Sequence, residues 1–330
     1  MLKDKKVLLF VPGGEGIYGT EIKKKIENQG AFVKVYNERP SSSVFGKIFT
    51  RLTKNISDIP FDVYIKKIIL ENINIKYDYV FVIRAESFHP SSIKLLRHSF
   101  SHATFILYLW DSINNTDTTK IIPYFDKSFS YDPIDVSNNS LLQYRPTFYL
   151  DQFYNISQNI IKDYSDIFFI GTIHSDRYQI LKSINLYLLD NEMSMYSYMY
   201  FPGKIMFYKK YLSDSNFRPK NISEFNFIML NLEQTLHIVS THRASLDIQH
   251  PAQTGLTLRP IEMLGAKRKL ITTNKNIKFY DFYDENNILV IDRNSPVIDK
   301  EFIYTPYNPL SSDVYTKYSL QSWVFDIFSL

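Results

Sequence analysis

The most informative part of this sequence is residues 245–274, which read SLDIQHPAQTGLTLRPIEMLGAKRKLITTN. An apolar strand is predicted over residues 244–248, a helix from about 257 to 266, and a second apolar strand over 269–272. A loop that contains Gly255 joins the first strand to the helix. Two apolar strands separated by one helix are typical of a βαβ unit in a parallel sheet.

The start of this helix has the chemistry of an anion site. Thr254 and Thr257 are suitable N-caps, and the backbone N–H groups that follow them attract phosphate together with the helix dipole. Arg259 in the first turn can add a charged fork to a diphosphate. Glu262 follows on the same side, where its carboxylate can accept hydrogen bonds from two ribose hydroxyls. Alternatively, Arg259 and Glu262 form an ordinary ion pair on a helix surface.

The same alternation of apolar strands and helices extends over the whole chain. Strands are predicted over residues 7–11, 32–36, 79–84, 104–109, 128–131, 167–170, 227–230, 244–248, 269–272 and 288–291. Helices are predicted over residues 20–29, 91–99, 177–189, 257–266 and 311–328. Because the strands are continuously apolar, the predicted fold class is α/β, with two doubly wound, Rossmann-like domains that face a cleft.

Length and composition bound the domain count and the kinds of site. The 330 residues correspond to about two domains, and the pattern predicts domains over residues 1–155 and 156–308 and a terminal segment over 309–330. With 0 Cys, a disulfide framework, a cysteine-ligated zinc site and a cysteine nucleophile are excluded. The 7 His are scattered and no Asp-x-Asp sequence is present, so no metal site is predicted.

Charge and hydropathy predict where the protein works. The net charge of +4 is small for this length and does not indicate a nucleic-acid partner. The apolar run over residues 7–11 is too short for a signal-peptide core, and no stretch approaches the roughly 18 apolar residues of a membrane span. A cytoplasmic protein is therefore expected.

A glycine loop follows the first strand and allows three interpretations. Gly14, Gly16 and Gly19 fit the pattern G-x-G-x-x-G, and Glu38 follows Gly19 by about 19 residues, where a dinucleotide fold places its ribose-binding acid. This pattern would make the protein an NAD(P)-dependent oxidoreductase. Glu15 inside the loop would repel a pyrophosphate, however, and could instead act as a general base. In the third interpretation, the glycines only form a tight turn.

Three stretches resemble a known family. Residues 253–274, QTGLTLRPIEMLGAKRKLITTN, are similar to the donor-binding region of GT-B glycosyltransferases, and in particular to glycosyltransferase-like proteins of bacterial surface-polysaccharide clusters. Residues 125–135, FDKSFSYDPID, and 144–149, YRPTFY, resemble the end of the first domain in those proteins and in the related spore-maturation group. The resemblance touches both halves of the chain.

The resemblance implies roles for residues in the second half. Glu262 would hold the donor ribose, and the diphosphate would lie on the backbone amides of Thr254, Gly255 and Leu256, with Arg259 beside them. The second domain would bind the nucleotide sugar as a substrate, with no metal and no separate cofactor. The first domain would bind the acceptor, and residues 309–330 would cross back onto it.

The resemblance also assigns the first strand of the second domain. Gly171 and Thr172 match its strand-turn, from which His174 or Arg177 could reach the phosphates, although His174 could equally be a solvated or capping residue. The basic pair that many retaining members carry on this face is not obvious here. Thr254 also stands where those members carry a second Glu, which argues against a retaining mechanism.

The expected activity is therefore sugar transfer from a nucleotide sugar to a lipid-linked or polysaccharide acceptor in lipopolysaccharide or capsule synthesis. An inverting reaction needs a base that removes the acceptor proton. The candidates, in order of preference, are Glu15, Asp111 and Glu86, each of which follows a predicted strand. A transferase-like scaffold that has lost catalysis is the remaining alternative.

Residues 44–54, VFGKIFTRLTK, predict a basic amphipathic helix. Such a helix could bind the anionic inner face of the cytoplasmic membrane, where a lipid-linked acceptor would be found. Alternatively, it packs on its own domain with the lysines in water.

Overall fold

The computed structural model describes residues 2–40, 58–158, 164–251 and 254–330. The chain divides into two compact units, one formed by Met1–Thr147 with Leu320–Leu330 and the other by Phe148–Ser319. Each unit contains a six-stranded sheet in which all neighbouring strands are parallel. This is the α/β class predicted from the continuously apolar strands, with two Rossmann-like domains.

The first unit is a doubly wound sheet with the strand order β2-β1-β3-β4-β5-β6. Its strands are β1 (Lys6–Val11), β2 (Phe32–Asn37), β3 (Tyr79–Ile83), β4 (Thr104–Leu109), β5 (Lys127–Ser130) and β6 (Leu142–Tyr144). Its helices are α1 (Ile17–Glu27), α2 (Asp58–Asn72), α3 (Pro90–Ser99), α4 (Pro133–Asn138) and, from the end of the chain, α12 (Leu320–Phe328).

Side chains of β3 alternate between the two faces of this sheet, and helices cover both. Val80 and Val82 are fully buried in the core that includes Ile65 of α2 and Ile93 of α3. Phe81 points the other way and packs against Trp323 and Phe328 of α12, with ring centroids 5.8 and 5.6 Å away. Burial on both faces explains why these strands are apolar throughout.

The second unit repeats the architecture with the strand order β12-β11-β10-β7-β8-β9. Its strands are β7 (Ser165–Thr172), β8 (Met195–Tyr200), β9 (Phe225–Asn226), β10 (His242–Asp247), β11 (Lys269–Thr272) and β12 (Ile288–Val290). Its helices are α5 (Asp151–Ser157), α6 (Arg177–Asp190), α7 (Lys204–Ser213), α8 (Leu232–Thr241), α9 (Leu258–Ala266), α10 (Lys300–Tyr304) and α11 (Ser312–Lys317).

Helix α9 is held from behind by two tyrosines. A Cβ added to Gly265 would lie 2.5 Å from the Cγ of Tyr149, so only glycine permits this approach. The hydroxyl of Tyr315 donates a 2.5 Å hydrogen bond to the carbonyl of Gly265. These contacts fix the position of the helix that carries Arg259 and Glu262.

Several sequence predictions differ from the structure. The strand predicted over residues 227–230 is wrong, because pairing with β8 involves the preceding residues, Phe225–Asn226. The helix predicted over residues 311–328 is two helices, α11 and α12, which belong to different units.

The unit boundary falls after Thr147, whereas the sequence placed it after residue 155. Tyr149 already belongs to the second unit, where its N–H donates to the carbonyl of Tyr318 at 2.9 Å. The segment that joins the first unit again begins at Leu320 rather than at 309.

The predicted amphipathic helix over residues 44–54 lies outside the described residues. In the described part of the chain, no helix combines the length and the apolar character that crossing a membrane requires.

Candidate functional site

The loops at the carboxyl ends of β7, β10, β11 and β12 meet at one edge of the second sheet. In an open parallel sheet this is the edge where ligands bind. The residues that the sequence assigned to a donor site lie here: Gly171, Thr172, His174, Arg177, Thr254, Gly255, Leu256, Arg259 and Glu262. They come from the loop after β7 and from the loop and helix after β10.

Asp247, the last residue of β10, is a buried anchor at this edge. Its carboxylate accepts hydrogen bonds from the hydroxyl of Thr272 at 3.0 Å and from the hydroxyl of Thr257 at 3.3 Å. Burial raises the pKa of Asp247 above its usual range, although Arg177 opposes this shift.

Because of this anchor, the start of α9 has no side-chain cap. Thr257 occupies the N-cap position with an extended backbone, but its hydroxyl makes no capping hydrogen bond. That hydroxyl is directed to Asp247 instead. The positive end of the helix dipole is therefore not neutralised by its own N-cap residue.

The loop before α9 is oriented by two asparagines. The side-chain amide of Asn276 donates to the carbonyl of Thr254 at 3.1 Å, and Asn274 lies 3.5 Å from the carbonyls of Thr254 and Gly255. Since a trans peptide points its N–H opposite to its carbonyl, the N–H groups of Gly255 and Leu256 point away from these asparagines.

Arg259 and Glu262 form a buried ion pair rather than a solvated surface pair. Their Nη1 and Oε2 atoms are 3.0 Å apart, and only 14% and 8% of the two side chains is exposed. The guanidinium also lies over the ring of Phe168, 5.7 Å from its centroid. A charge pair at this burial has a defined geometry, because both side chains are confined by their neighbours.

Arg177 holds two of the loops together. Its Nε donates to the carbonyl of Ile248 at 2.5 Å, and its Nη1 donates to the carbonyl of Thr172 at 2.9 Å. Gly171 allows this arrangement, because an added Cβ would lie 2.9 Å from the ring of Phe169 and 3.4 Å from Arg177. In this structure Arg177 positions backbone at the site.

His174 and His250 lie side by side, with ring centroids 5.3 Å apart. Burial and then the charge of Arg177 lower the pKa of His174 to about 4. The imidazole of His174 is therefore neutral at pH 7, so it can offer one N–H to a ligand but no positive charge.

Arg293 also lies at this edge, although the sequence did not predict a role for it. It follows β12 and donates two 2.7 Å hydrogen bonds to the carboxylate of Asp176, the N-cap residue of α6. It also donates to the carbonyl of Gln249 at 2.9 Å. Proximity to Arg293 lowers the pKa of Asp176. The signal for Arg293 was its position just after a predicted strand.

At the carboxyl edge of the first sheet, backbone N–H groups of the glycine loop donate hydrogen bonds to nearby protein oxygens. The N–H of Gly13 donates to Asn37 Oδ1 at 3.1 Å, that of Gly14 to the carbonyl of Val11 at 3.0 Å, and that of Gly16 to the carbonyl of Gly13 at 3.2 Å. A Cβ at Gly19 would lie 1.9 Å from the carbonyl oxygen of Gly14. The pattern therefore reflects close packing of loop on helix.

Two arginines at this edge join three carboxylates. Arg39 Nε lies 2.8 Å from Glu38, and Arg39 also contacts Glu86. Arg84 pairs with Glu86 at 2.6 Å and with Asp111 at 2.7 Å. Glu38 has no exposed surface, and its burial raises its pKa. Glu86 and Asp111, two of the proposed bases, therefore share one arginine.

Backbone strain accompanies this network. Arg84 and Ala85 have φ angles of 75° and 60°, in the left-handed region that residues with a side chain rarely adopt. Two consecutive residues of this kind directly after β3 turn Glu86 back toward Arg39. Strain of this kind is found at functional sites.

Glu15 differs from the other two base candidates. Its side chain is 64% exposed and lies 3.2 Å from Lys23 in α1. The structure brings Glu86 and Asp111 together through Arg84, and Glu15 is not part of that network. In the described ranges, no cluster of acidic residues and histidines has the arrangement of a metal site.

Comparison with known proteins identifies the fold. No protein-family model and no curated protein matches the chain. An alpha-glucosyltransferase solved with UDP and a 13-mer DNA is similar over 98% of this chain and 100% of its own, with a TM-score of 0.58 and 13% identity. Anabaena Alr3699/HepE, solved with UDP and glucose, is similar over 98% of this chain and 99% of its own, with a TM-score of 0.58 and 8% identity.

The lipopolysaccharide outer core galactosyltransferase WaaB, in its apo form, is also similar. It matches over 98% of this chain and 99% of its own, with a TM-score of 0.52 and 9% identity. The chain has a GT-B-type fold. At these identities the likeness concerns the fold, and activity has to be argued from the site.

The sequence identified α9 and its two charged residues in this GT-B fold but not the groups that position them. Asn274 and Arg293 act through contacts between separate loops, 19 and 44 positions apart in the chain. The signal for Asn274 was a polar residue soon after a predicted strand, which marks the ligand-binding edge without specifying partners.

Proposed function

We propose that this protein is a glycosyltransferase that moves a sugar from a nucleotide sugar to a lipid-linked or polysaccharide acceptor in bacterial lipopolysaccharide or capsule synthesis. One observation carries the proposal. The N-cap hydroxyl of α9 is committed to Asp247, so the helix begins without a side-chain cap at the ligand-binding edge of its sheet.

An uncapped helix start is suited to a diphosphate. The first N–H groups of α9 and its dipole attract negative charge, and Arg259 in the first turn adds a guanidinium. The same groups would stabilise the charge that develops on the diphosphate as the sugar leaves. In this proposal, the chain's own residues supply that stabilisation without a metal ion.

Glu262 is proposed to accept hydrogen bonds from the donor ribose. Its pairing with Arg259 keeps the carboxylate oriented one helical turn from the proposed diphosphate seat. Arg177 and Arg293 hold the surrounding loops through backbone carbonyls, so the seat is formed before a ligand arrives.

The structural neighbours support the donor class. Two of the solved GT-B structures contain UDP, and the third is a lipopolysaccharide galactosyltransferase by its description. The resemblance of residues 253–274 to surface-polysaccharide proteins points to the same kind of reaction. A role at the inner face of the cytoplasmic membrane, through residues 44–54, remains part of the proposal.

An NAD(P)-dependent oxidoreductase is less well supported by the geometry of the first unit. The amides of Gly13, Gly14 and Gly16 already donate to protein acceptors. Glu38, which would hold the cofactor ribose, has no exposed surface and is paired with Arg39. These groups would have to rearrange before they could hold a dinucleotide.

A charge change at the start of α9 tests the proposal. Leu258, the first residue of the helix, is partly exposed, and Leu258→Glu would place a carboxylate beside the proposed diphosphate. We expect UDP affinity to fall by about tenfold or more. Leu258→Gln, of the same size without the charge, should retain UDP binding. Calorimetric titration of both variants measures the difference.

The first step is a thermal-shift screen of the unmodified protein against UDP, ADP, GDP, their sugar derivatives and NADH. Binding to the native state raises the melting temperature by mass action, so the strongest shift identifies the base and sugar. A shift with NADH and none with any nucleotide diphosphate would overturn the proposal. Nucleotide binding without sugar transfer to any glycan acceptor would instead favour the inactive scaffold.

A further inference from the structure

A cavity of about 270 Å³ lies in the same unit as the proposed donor site. It is found at the amino ends of β10 and β11, whereas the donor edge is at their carboxyl ends. Arg243 and Asp247 are four residues apart in β10, a separation of about 13 Å along a strand. The cavity is therefore a different place, and it does not depend on the proposed function.

The lining of this cavity is basic and aromatic. Four cationic residues and three tyrosines line it, and the described lining residues include no carboxylate. The cations are Arg243, Lys267, Arg268 and Lys269, and the tyrosines are Tyr164, Tyr304 and Tyr307. Such a surface favours an anionic ligand with a face that can stack on a ring.

Arg243 is the central cation because it lies between two rings of the lining and its Nε has no acceptor among the residues that the structure describes. Its guanidinium lies between two aromatic rings, 5.4 Å from the centroid of Tyr164 and 5.1 Å from that of Tyr304. Its Nε is buried and has no hydrogen-bond acceptor among the described residues. Because Arg243 also lines the cavity, an oxyanion bound there would lie close to its guanidinium charge.

Asp166, a carboxylate that feels the charge of Arg243, forms its hydrogen bonds with other groups. Asp166 accepts hydrogen bonds from the N–H and hydroxyl of Ser194 at 2.8 and 2.9 Å and from the hydroxyl of Tyr304 at 2.7 Å. Both of its oxygens are therefore hydrogen-bonded to groups other than Arg243, although the charge of Arg243 contributes to lowering the pKa of Asp166. No ion pair within 4.0 Å joins Asp166 to Arg243 in the described part of the chain.

The neighbouring cations divide into two kinds. Arg268 and Lys269 donate to backbone carbonyls, including those of Ser240 and Phe302, and so contribute charge rather than free donors. Lys267 ends α9 in a left-handed conformation with a φ of 50°, and its Nζ lies 5.1 Å from the ring centroid of Tyr315. Arg243 and Lys267 are thus the two cations suited to contact a ligand.

We propose that this cavity binds a single sugar unit that carries a phosphate or carboxylate group. The oxyanion would accept hydrogen bonds from Arg243 and Lys267, and the ring would stack on the tyrosines. The volume of about 270 Å³ lies just below the usual range of ligand pockets, about 300 to 1,000 Å³, and therefore favours one sugar ring over a longer glycan.

Calorimetric titration of the full chain tests this proposal, with excess UDP present so that phosphosugars do not compete for the donor edge. The probes are glucose 6-phosphate, glucuronate, glucose and inorganic phosphate. We expect glucose 6-phosphate or glucuronate to bind more tightly than glucose or phosphate, and the better of the two identifies the anion. Arg243→Gln and Lys267→Asn should each weaken that binding by about tenfold.

The variants are chosen to separate the loss of a specific charge from strain, from a general change in net charge and from misfolding. Asparagine tolerates the left-handed conformation at position 267, so Lys267→Asn removes the charge with little strain. Lys66→Gln, at an exposed position of α2, removes the same charge elsewhere and should not change the affinity. Circular dichroism confirms folding of each variant.

Three results would overturn the proposal. They are no binding of either acidic sugar, binding of inorganic phosphate as tight as that of glucose 6-phosphate, or affinities unchanged in both folded variants. Because the readout is acidic-sugar affinity, a failure here is distinct from a failure of UDP to bind at α9.

Discussion

The carboxyl edges of the two sheets share a strand–loop–helix arrangement but differ in which groups form hydrogen bonds and ion pairs there. In the first unit, the loop amides of Gly13, Gly14 and Gly16 all donate to nearby protein oxygens. In the second unit, the residue that could cap the helix, Thr257, donates to Asp247 instead. Both helices therefore begin without a side-chain cap, since Gly16 at the N-cap of α1 has no side chain, and the second edge differs by having Arg259 in the first turn of its helix.

This difference shows that a glycine pattern and a binding site are separate properties. Gly19 is required because the carbonyl of Gly14 occupies the space of a Cβ, and Gly13 and Gly14 are required by φ angles of 78° and 59°. Each glycine is explained by packing or conformation. The second edge, with one glycine in its loop, differs from the first in having a buried Arg259–Glu262 pair on its helix.

The largest expected effect concerns the base. Glu15→Gln should lower turnover by roughly a hundredfold or more, as removal of a general base does, without changing UDP affinity. Steady-state kinetics and calorimetric titration measure the two quantities. Unchanged turnover would remove Glu15 from the mechanism and turn attention to Glu86 and Asp111, where loss of the Arg84 pairs would add a cost in stability.

The second prediction contrasts two glycines of the first edge. Gly19→Ala should destabilise the protein by roughly 2–3 kcal/mol, because its Cβ would lie 1.9 Å from the Gly14 oxygen. Gly16→Ala is the control, since its Cβ would meet no atom closer than 3.5 Å and its φ is −67°. Urea unfolding compares them. Equal losses would show that packing does not explain the pattern.

The third prediction isolates the carboxylate of the second edge. If Glu262 accepts hydrogen bonds from the ribose, the protein should bind UDP about tenfold more tightly than 2′-deoxy-UDP. Glu262→Gln should reduce that preference, whereas Glu233→Gln, at an exposed position of α8, should not. A purely structural role for the Arg259–Glu262 pair would weaken both nucleotides equally and leave their ratio unchanged.

The smallest expected effect is a pH dependence of the protein's stability that arises from Asp247. Because burial raises the pKa of Asp247, the folded chain holds its proton more tightly than the unfolded chain. The stability that protonation contributes is present at acid pH and is lost as the pH rises through the folded pKa. Asp247→Asn stays neutral, so relative to the unmodified protein it should gain on the order of 1 kcal/mol near pH 7.

Urea unfolding at about pH 4 and about pH 7 measures this gain. A variant that loses more stability at neutral pH than at acid pH would show that the fold depends on the charged carboxylate.

The sequence predicted the elements around both edges well. The apolar strands over residues 104–109 and 269–272 have the predicted bounds, and the start of the helix over residues 257–266 was found within one residue. These segments are buried on both faces, so hydrophobicity marks them clearly. The strand Met195–Tyr200 was missed because MYSYMY is only partly buried and lacks a continuous aliphatic run.

The candidate site was predictable in part. Arg259 and Glu262 are neighbours on one helix, so their pairing follows from spacing alone. That the pair is buried depends on Phe168 from another strand. Arg293 and Asp176 are 117 positions apart, and no local pattern announces such a contact.

The sequence by itself determines the α/β class, the helix after β10 and the positions of the charged residues on that helix. These features depend on periodicity and local spacing. Only the tertiary structure decides which backbone and side-chain donors form hydrogen bonds within the protein. Thr257 could cap its own helix or donate to Asp247, and Glu38 could contact a ligand or form a buried ion pair with Arg39. Those choices also depend on groups distant in the chain, such as Thr272 beside Asp247 and Glu86 beside Arg39, which come together only when the strands pair.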